Sequence, residues 1–144
     1  MSAIFGNKSD LIHIQIFYKI VGSDGNQRVV LLNNDDARKR KSKEEDGIEV
    51  LNTKWKPQTW TINLDIMNRS YAYNPSNSEK EFDYIRFQEN IFNECLSEWD
   101  AVDEKGEAIP CNSENVGQLI LPIARALLDA YQNVVGSTEE DSKK

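Results

Sequence analysis

Five carboxylates, Glu98, Asp100, Asp103, Glu104 and Glu107, crowd one short stretch of this 144-residue chain. Oxygen donors at that density could hold a hard cation such as calcium, but they lack the alternating ligand register and closing Glu of an EF-hand loop. An acid or base for catalysis would need a partner whose pKa can be set against it, or a nucleophile beside it. The single histidine, His13, has no Ser, Cys or Asp at a recognised motif spacing and falls on the polar face of an expected strand. Cys95 and Cys111 form no CxxC or other metal-ligand spacing; they read as one core thiol and one loop thiol of a reducing compartment. The seven glycines are scattered and build neither GxGxxG nor GxxxxGK. The residues therefore point to no catalytic group, no cofactor and no metal, and to a protein that is not an enzyme.

Two features could instead serve nucleic acid. Trp55 and Trp60 bracket KPQT with Lys54 and Lys56 beside them, a pattern on which single-stranded bases could stack. Residues 38–43 carry five basic side chains among six positions. Against the first, tryptophans in small domains are usually packing anchors. Against the second, Asp35 and Asp36 precede Lys39 and Arg40 by four residues, and Arg40 and Lys41 precede Glu44 and Glu45 likewise. On a helix capped by Asn34 or Asp35 and closed near Gly47 these charges pair along a solvated face. Net charge is −7 and uneven: residues 1–78 carry 11 basic and 9 acidic side chains, residues 79–144 carry 6 and 15. The C-terminal half would repel a phosphate backbone, so nucleic acid is an unlikely partner there.

The elements that must position these groups follow from periodicity. Ile12, Ile14, Ile16, Tyr18 and Ile20 alternate with residues that include His13, Gln15 and Lys19, the period of a half-buried strand. GSDGNQ supplies a turn and RVVLLN a second strand, so a β-hairpin is expected. GIEVLNTKWKP reads as a third strand stopped by Pro57, TWTINLDIMNRS as a short helix capped by Thr59 or Thr61, and YAYNPSNSEKEF as a loop. Phe82, Ile85, Phe92, Leu96 and Trp99 recur at helical steps and predict a long helix over 79–98. The acidic stretch that follows suits a reversal, with Gly106 for a positive φ and Asp103 bonding its own backbone. Asn112 or Ser113 then caps a helical segment with Glu114 in its first turn, and LPIARALLDAYQNVV gives a closing amphipathic helix with Pro122 in its first turn.

These readings give an α+β fold: an N-terminal β-hairpin or small antiparallel sheet followed by a helical C-terminal half. One domain spans 1–136, β-rich over 9–56 and helical over 57–136, with a disordered acidic and polar tail at 137–144. At 39% apolar and 28% charged the chain has the composition of a folded domain. Its apolar runs are too short to cross a membrane, and its first residues do not read as a secretory signal, so a cytoplasmic protein is expected.

Several of these segments together resemble a known family. The run Cys95-Leu96-Ser97-Glu98-Trp99-Asp100, then Asp103-Glu104-Lys105-Gly106, Ile109-Pro110-Cys111 and Glu114-Asn115-Val116, resembles the C-terminal part of the tail assembly chaperones of tailed bacteriophages. There an amphipathic helix ends in a similar Leu-x-x-Trp, an Asp/Gly-rich turn leads to a Pro, and a capped helix closes the chain. KWKPQTW and SEKEFDYIRFQENIFNECL are also similar to this group, and the likeness covers about residues 54–135. The resemblance implies a non-enzymatic protein of the host-cell cytoplasm that binds the tape-measure protein and keeps it soluble during tail tube assembly, with the tail tube protein as a second partner. Similar small acidic sequences occur among structural and adaptor components of the virion, which is the first alternative; a single-stranded nucleic-acid binder is the second. A chaperone for a helical client needs an apolar groove between helices, rimmed by charge. Phe87, Ile91, Leu128, Tyr131 and Val134 are the candidates to line it, the alternative for each being packing against the sheet. On this reading Trp99 pins the end of one helix, Gly106 turns the chain, and Asn112 or Ser113 starts the next.

Overall fold

The computed structural model describes residues 10–23, 25–32, 34, 38 and 47–136. Asn34 and Arg38 are helical; the rest of the expected charged helix or linker, and the expected tail at 137–144, lie outside the described residues. Four strands, β1 (Ile12–Val21), β2 (Arg28–Leu31), β3 (Ile48–Trp55) and β6 (Leu96–Trp99), form an antiparallel sheet in the order β2-β1-β3-β6. β1 and β3 pair along nearly their whole length, from Ile12 opposite Trp55 to Lys19 opposite Ile48. Alternation in β1 sends Ile14 and Ile16 into the core and leaves His13 exposed on the other face. Phe17 departs from that pattern: it is buried on the outer face with Ile48, against Leu32 and Val50. The N-terminal half is therefore the expected antiparallel sheet, and with the helices that follow it the fold is α+β.

The remaining strands, β4 (Tyr71–Asn74), β5 (Glu79–Phe82) and β6, lie within residues 57–136, which the sequence reads as the helical part with a loop over 71–82. Residues 71–82, read from sequence as a loop, form a β-hairpin in which Tyr71 faces Phe82 and Tyr73 faces Lys80. Its turn is held by side chains: Asn74 accepts from the Ser76 amide and Asn77 from the Glu79 amide, while both asparagines donate to Glu81. The predicted 79–98 helix is shorter at both ends. Asp83 caps α2 (Tyr84–Cys95) by accepting from the Ile85 and Arg86 amides, which fixes its start after the hairpin. At the other end Leu96 turns extended and the chain joins β3 through β6. Leu96 and Trp99 lie three apart, a spacing that fits a helical stripe; the unpaired edge of β3 decides for the strand.

α1 (Trp60–Asn68) begins at Thr59, whose hydroxyl accepts from the Ile62 amide at 3.2 Å. A short α3 (Ser113–Val116) precedes α4 (Leu121–Val135), which has Pro122 in its first turn. The helices cover one face of the sheet, and their shared core includes Ile14, Ile16, Leu51, Trp55, Ile66, Ile91, Cys95, Leu127, Leu128 and Tyr131. At its centre Trp55 stacks on Tyr131 with ring centroids 4.5 Å apart and meets Phe92 at 5.6 Å. The Trp55 indole N–H donates to the Thr53 hydroxyl at 2.7 Å, that hydroxyl donates to the Ile14 carbonyl at 2.8 Å, and the Tyr131 hydroxyl donates to the Lys56 carbonyl at 2.7 Å. No polar atom of this aromatic cluster is left without a partner, which is the condition for burying it.

Two predictions follow from this core. Tyr131→Phe keeps the ring but leaves the Lys56 carbonyl without its donor, and is expected to cost about 1–3 kcal/mol in urea unfolding; Trp55→Ala, which also opens a cavity, should cost about 3–5 kcal/mol. Burial, then the hydrogen bond to Glu49, pushes the Tyr18 phenol up to about 12, and burial raises Tyr131 as well. The folded chain thus holds protons that the unfolded chain releases near pH ~10. Stability should be intact below that pH and fall as pH rises from ~10 toward 12. Urea midpoints measured across that window should show the decline, and Tyr18→Phe should make it shallower, leaving the part due to Tyr131.

Candidate functional site

The acidic stretch is an ordered corner, built by local hydrogen bonds. Val102 bridges Ala108, the Gly106 amide donates to the Asp103 carbonyl at 3.0 Å, and the Asp103 carboxylate accepts from the Lys105 and Glu107 amides at 2.8 and 3.0 Å. Gly106 has φ +80°, with open space where a Cβ would stand. Trp99 donates its indole N–H to the Ile109 carbonyl at 2.7 Å, so it pins the end of strand β6, not of a helix, to the returning loop. Asn112 is the cap of α3, accepting from the Asn115 amide at 2.9 Å, and Ser113 is its first helical residue. Of the other acids, Glu98 lies 3.7 Å from Lys54, and both Asp100 oxygens accept from Asn52. Among the described residues no group of three or more His, Cys, Asp or Glu could hold a metal ion.

The outer face of the sheet carries a polar cavity of about 510 Å³ over His13, Gln15, Asn52, Lys54 and Glu98, with Arg38 beside it. Arg38 donates to the Gln15 side chain, Gln15 donates to Asn52 at 2.8 Å, and Asn52 donates to Asp100. These groups satisfy one another across β1 and β3 and out to Asp100 just past β6, which makes the network a clasp for the sheet. His13 stands at its border, opposite Lys54 in register, with no nucleophile among the residues lining the cavity.

An apolar groove of about 480 Å³ runs between α2 and the α3–α4 segment, lined by Ile85, Phe92, Val116, Leu119, Leu121 and Ala124 and edged by Gln88, Glu89 and Asn93. Ile85 is 69% exposed and Leu121 59% exposed, at opposite lips. An apolar groove between helices is the expectation, but the structure puts none of its five expected lining residues in this one. Ile91, Leu128 and Tyr131 are buried in the core beneath, because the helical stripe that carries them faces the sheet. Phe87 is half-buried and sits instead in a row of rings, 5.4 Å from Phe82 and 6.1 Å from Tyr84. Val134 is exposed near the end of α4 and does not line the groove. Conversely Ile85, assigned by periodicity to the buried stripe, is a lip residue, and Leu121 and Val116 were missed because nothing in their local pattern separates core from surface.

The same ring row continues onto the β4–β5 hairpin, where Tyr71 meets Phe82 at 5.6 Å and Tyr73 lies exposed beyond it. The paired-tryptophan reading fails on burial: Trp55 is sealed in the core while Trp60 is 75% exposed, so the two cannot form a stacking platform. The rest of the basic run, 39–43, lies outside the described residues. Cys95 is buried and Cys111 half-buried, and burial raises both thiols. Among the described residues no helix is long and apolar enough to cross a membrane. Comparison of the chain with family models, with curated proteins and with solved structures gives no match.

The corner yields a stability test. Gly106→Ala meets only the cost of a left-handed backbone, about 1–2 kcal/mol, because nothing lies within 4 Å of the new Cβ. Gly22→Ala, at φ +106° with its Cβ driven onto the Asn26 carbonyl, should cost distinctly more. Equal urea midpoints for the two variants would contradict this account of both turns.

Proposed function

We propose that this chain is a non-enzymatic assembly chaperone of a tailed bacteriophage, which holds a helical segment of the tape-measure protein and keeps it soluble while the tail tube assembles. The observation that carries the reading is the α2–α4 groove with Ile85 and Leu121 exposed at its lips. Leaving two large aliphatic side chains in water at the mouth of an apolar groove forgoes about 1.5–3 kcal/mol each relative to burial, and a client helix inserted between the lips would recover it. The sequence resemblance over residues 54–135 supplies the client; the groove supplies a place for it. Host-cell cytoplasm is the compartment this role requires, with the tail tube protein as a second partner.

Co-expression with the tape-measure protein of the same genome tests the reading. The tagged chain should co-purify with its client and raise the client's soluble fraction. Leu121→Glu, at an exposed first-turn position where an acid favours the helix, should leave folding intact and abolish both effects. Failure of the unaltered chain to bind or solubilise the client would refute the proposal, and recovery of the chain in purified particles would favour a virion component instead.

A further inference from the structure

A second groove, of about 700 Å³, opens at the other side of the α4 N-terminus. Its apolar surface comes from the inner face of the sheet at Tyr18, Ile20, Val29 and Leu51, from Val102 in the acidic corner, and from Leu119, Ile120 and Ile123. Val102 is 56% exposed, and Ile20 and Ile120 are each about half exposed. Four carboxylates, Glu49, Asp100, Asp103 and Glu104, stand among the lining residues, and no Lys, Arg or His does. Asp100 and Asp103 are held by amide donors, and none of the four forms an ion pair among the described residues.

We infer that this groove docks an amphipathic segment of another protein, one that presents apolar side chains to the floor and Lys or Arg side chains to the acidic rim. Charge complementarity selects that occupant. The α4 N-terminus brings only about half a positive charge, against the carboxylates of Glu49, Asp103 and Glu104, Asp100 being turned to Asn52. At physiological salt, fields reach about 8 Å, so flanking cations gain only when the segment sits in the groove. The two grooves share Leu119, with Ile120 turned to one and Leu121 to the other. The inference rests on the chain being a protein-binding module, and not on which client it serves.

Three synthetic peptides test it on the full chain: an amphipathic peptide of Leu and Lys, its Leu/Glu counterpart, and a Lys/Ser peptide of the same charge. Binding is read by fluorescence anisotropy and located by methyl NMR. The Leu/Lys peptide should bind and shift the methyls of Ile20, Val102 and Ile120. Its affinity should drop about tenfold in the Glu49→Gln/Glu104→Gln double variant and again in Ile120→Ser, while the other two peptides bind at least tenfold more weakly. The inference is overturned if the Lys/Ser peptide binds equally well, if Ile120→Ser has no effect, or if no peptide binds. Methyl shifts confined to Ile85 and Leu121 would overturn it too while leaving the α2–α4 client groove standing. So would self-association of the chain abolished by Val102→Asp, since the occupant would then be a second copy. Loss of tape-measure binding in Leu121→Glu with peptide binding unchanged would separate the two grooves.

Discussion

The stack of Trp55 on Tyr131 is the contact on which the rest of the molecule depends. Trp55 ends β3 and Tyr131 lies in the third turn of α4, so one ring pair fastens the last helix to one of the two inner strands of the first sheet. Phe92 brings α2 against the same indole. The bond from the Tyr131 hydroxyl to the Lys56 carbonyl then ties α4 to the chain just beyond β3, and the Lys56 amide donates to the Cys95 carbonyl where α2 passes into β6. Apolar burial drives this assembly, but the indole and phenol could not be buried without the Thr53, Ile14 and Lys56 acceptors, since an unsatisfied polar group costs what the ring gains.

Anchoring α4 at that end of the sheet has a consequence at the other. Stacked on Trp55, which pairs with Ile12, α4 packs on β1 and also touches β2, yet Ile20 stays about half exposed. Around it the inner face is left as an apolar floor, bordered by the corner at 100–104 and by the segment leading into α4. The exposed aliphatic side chains around the α4 N-terminus are the geometric remainder of the core's own anchoring. Function, on the reading proposed, uses surface that the fold could not bury.

Much of the scaffold was legible because it depends on local chemistry. The alternation of β1 survives in the structure because one face meets helices and the other meets water over most of its length, and the Thr59, Asn112, Gly106 and Pro122 signals each correspond to a cap or turn made by the residue itself. The groove was legible only in outline. An amphipathic stripe says which residues avoid water, and Ile91, Leu128 and Tyr131 obey it by packing on the sheet. It does not say which apolar residues are left over once a particular neighbour has been chosen, and Ile85 and Leu121 are those residues.

By itself, then, the sequence determined the α+β class, the N-terminal sheet, the caps and turns, and the lack of any motif spacing for nucleophilic or phosphate-binding chemistry. Each of these is settled within a few residues along the chain, by hydrogen-bonding reach or by period. Only the tertiary structure decided that 96–99 is a strand, that residues 71–82 form a hairpin, that Trp55 is sealed while Trp60 is open, and where apolar surface stays uncovered. Those outcomes depend on which distant segment arrives as a neighbour: the free edge of β3 captures β6, and the place where α4 docks decides which part of the inner face stays open.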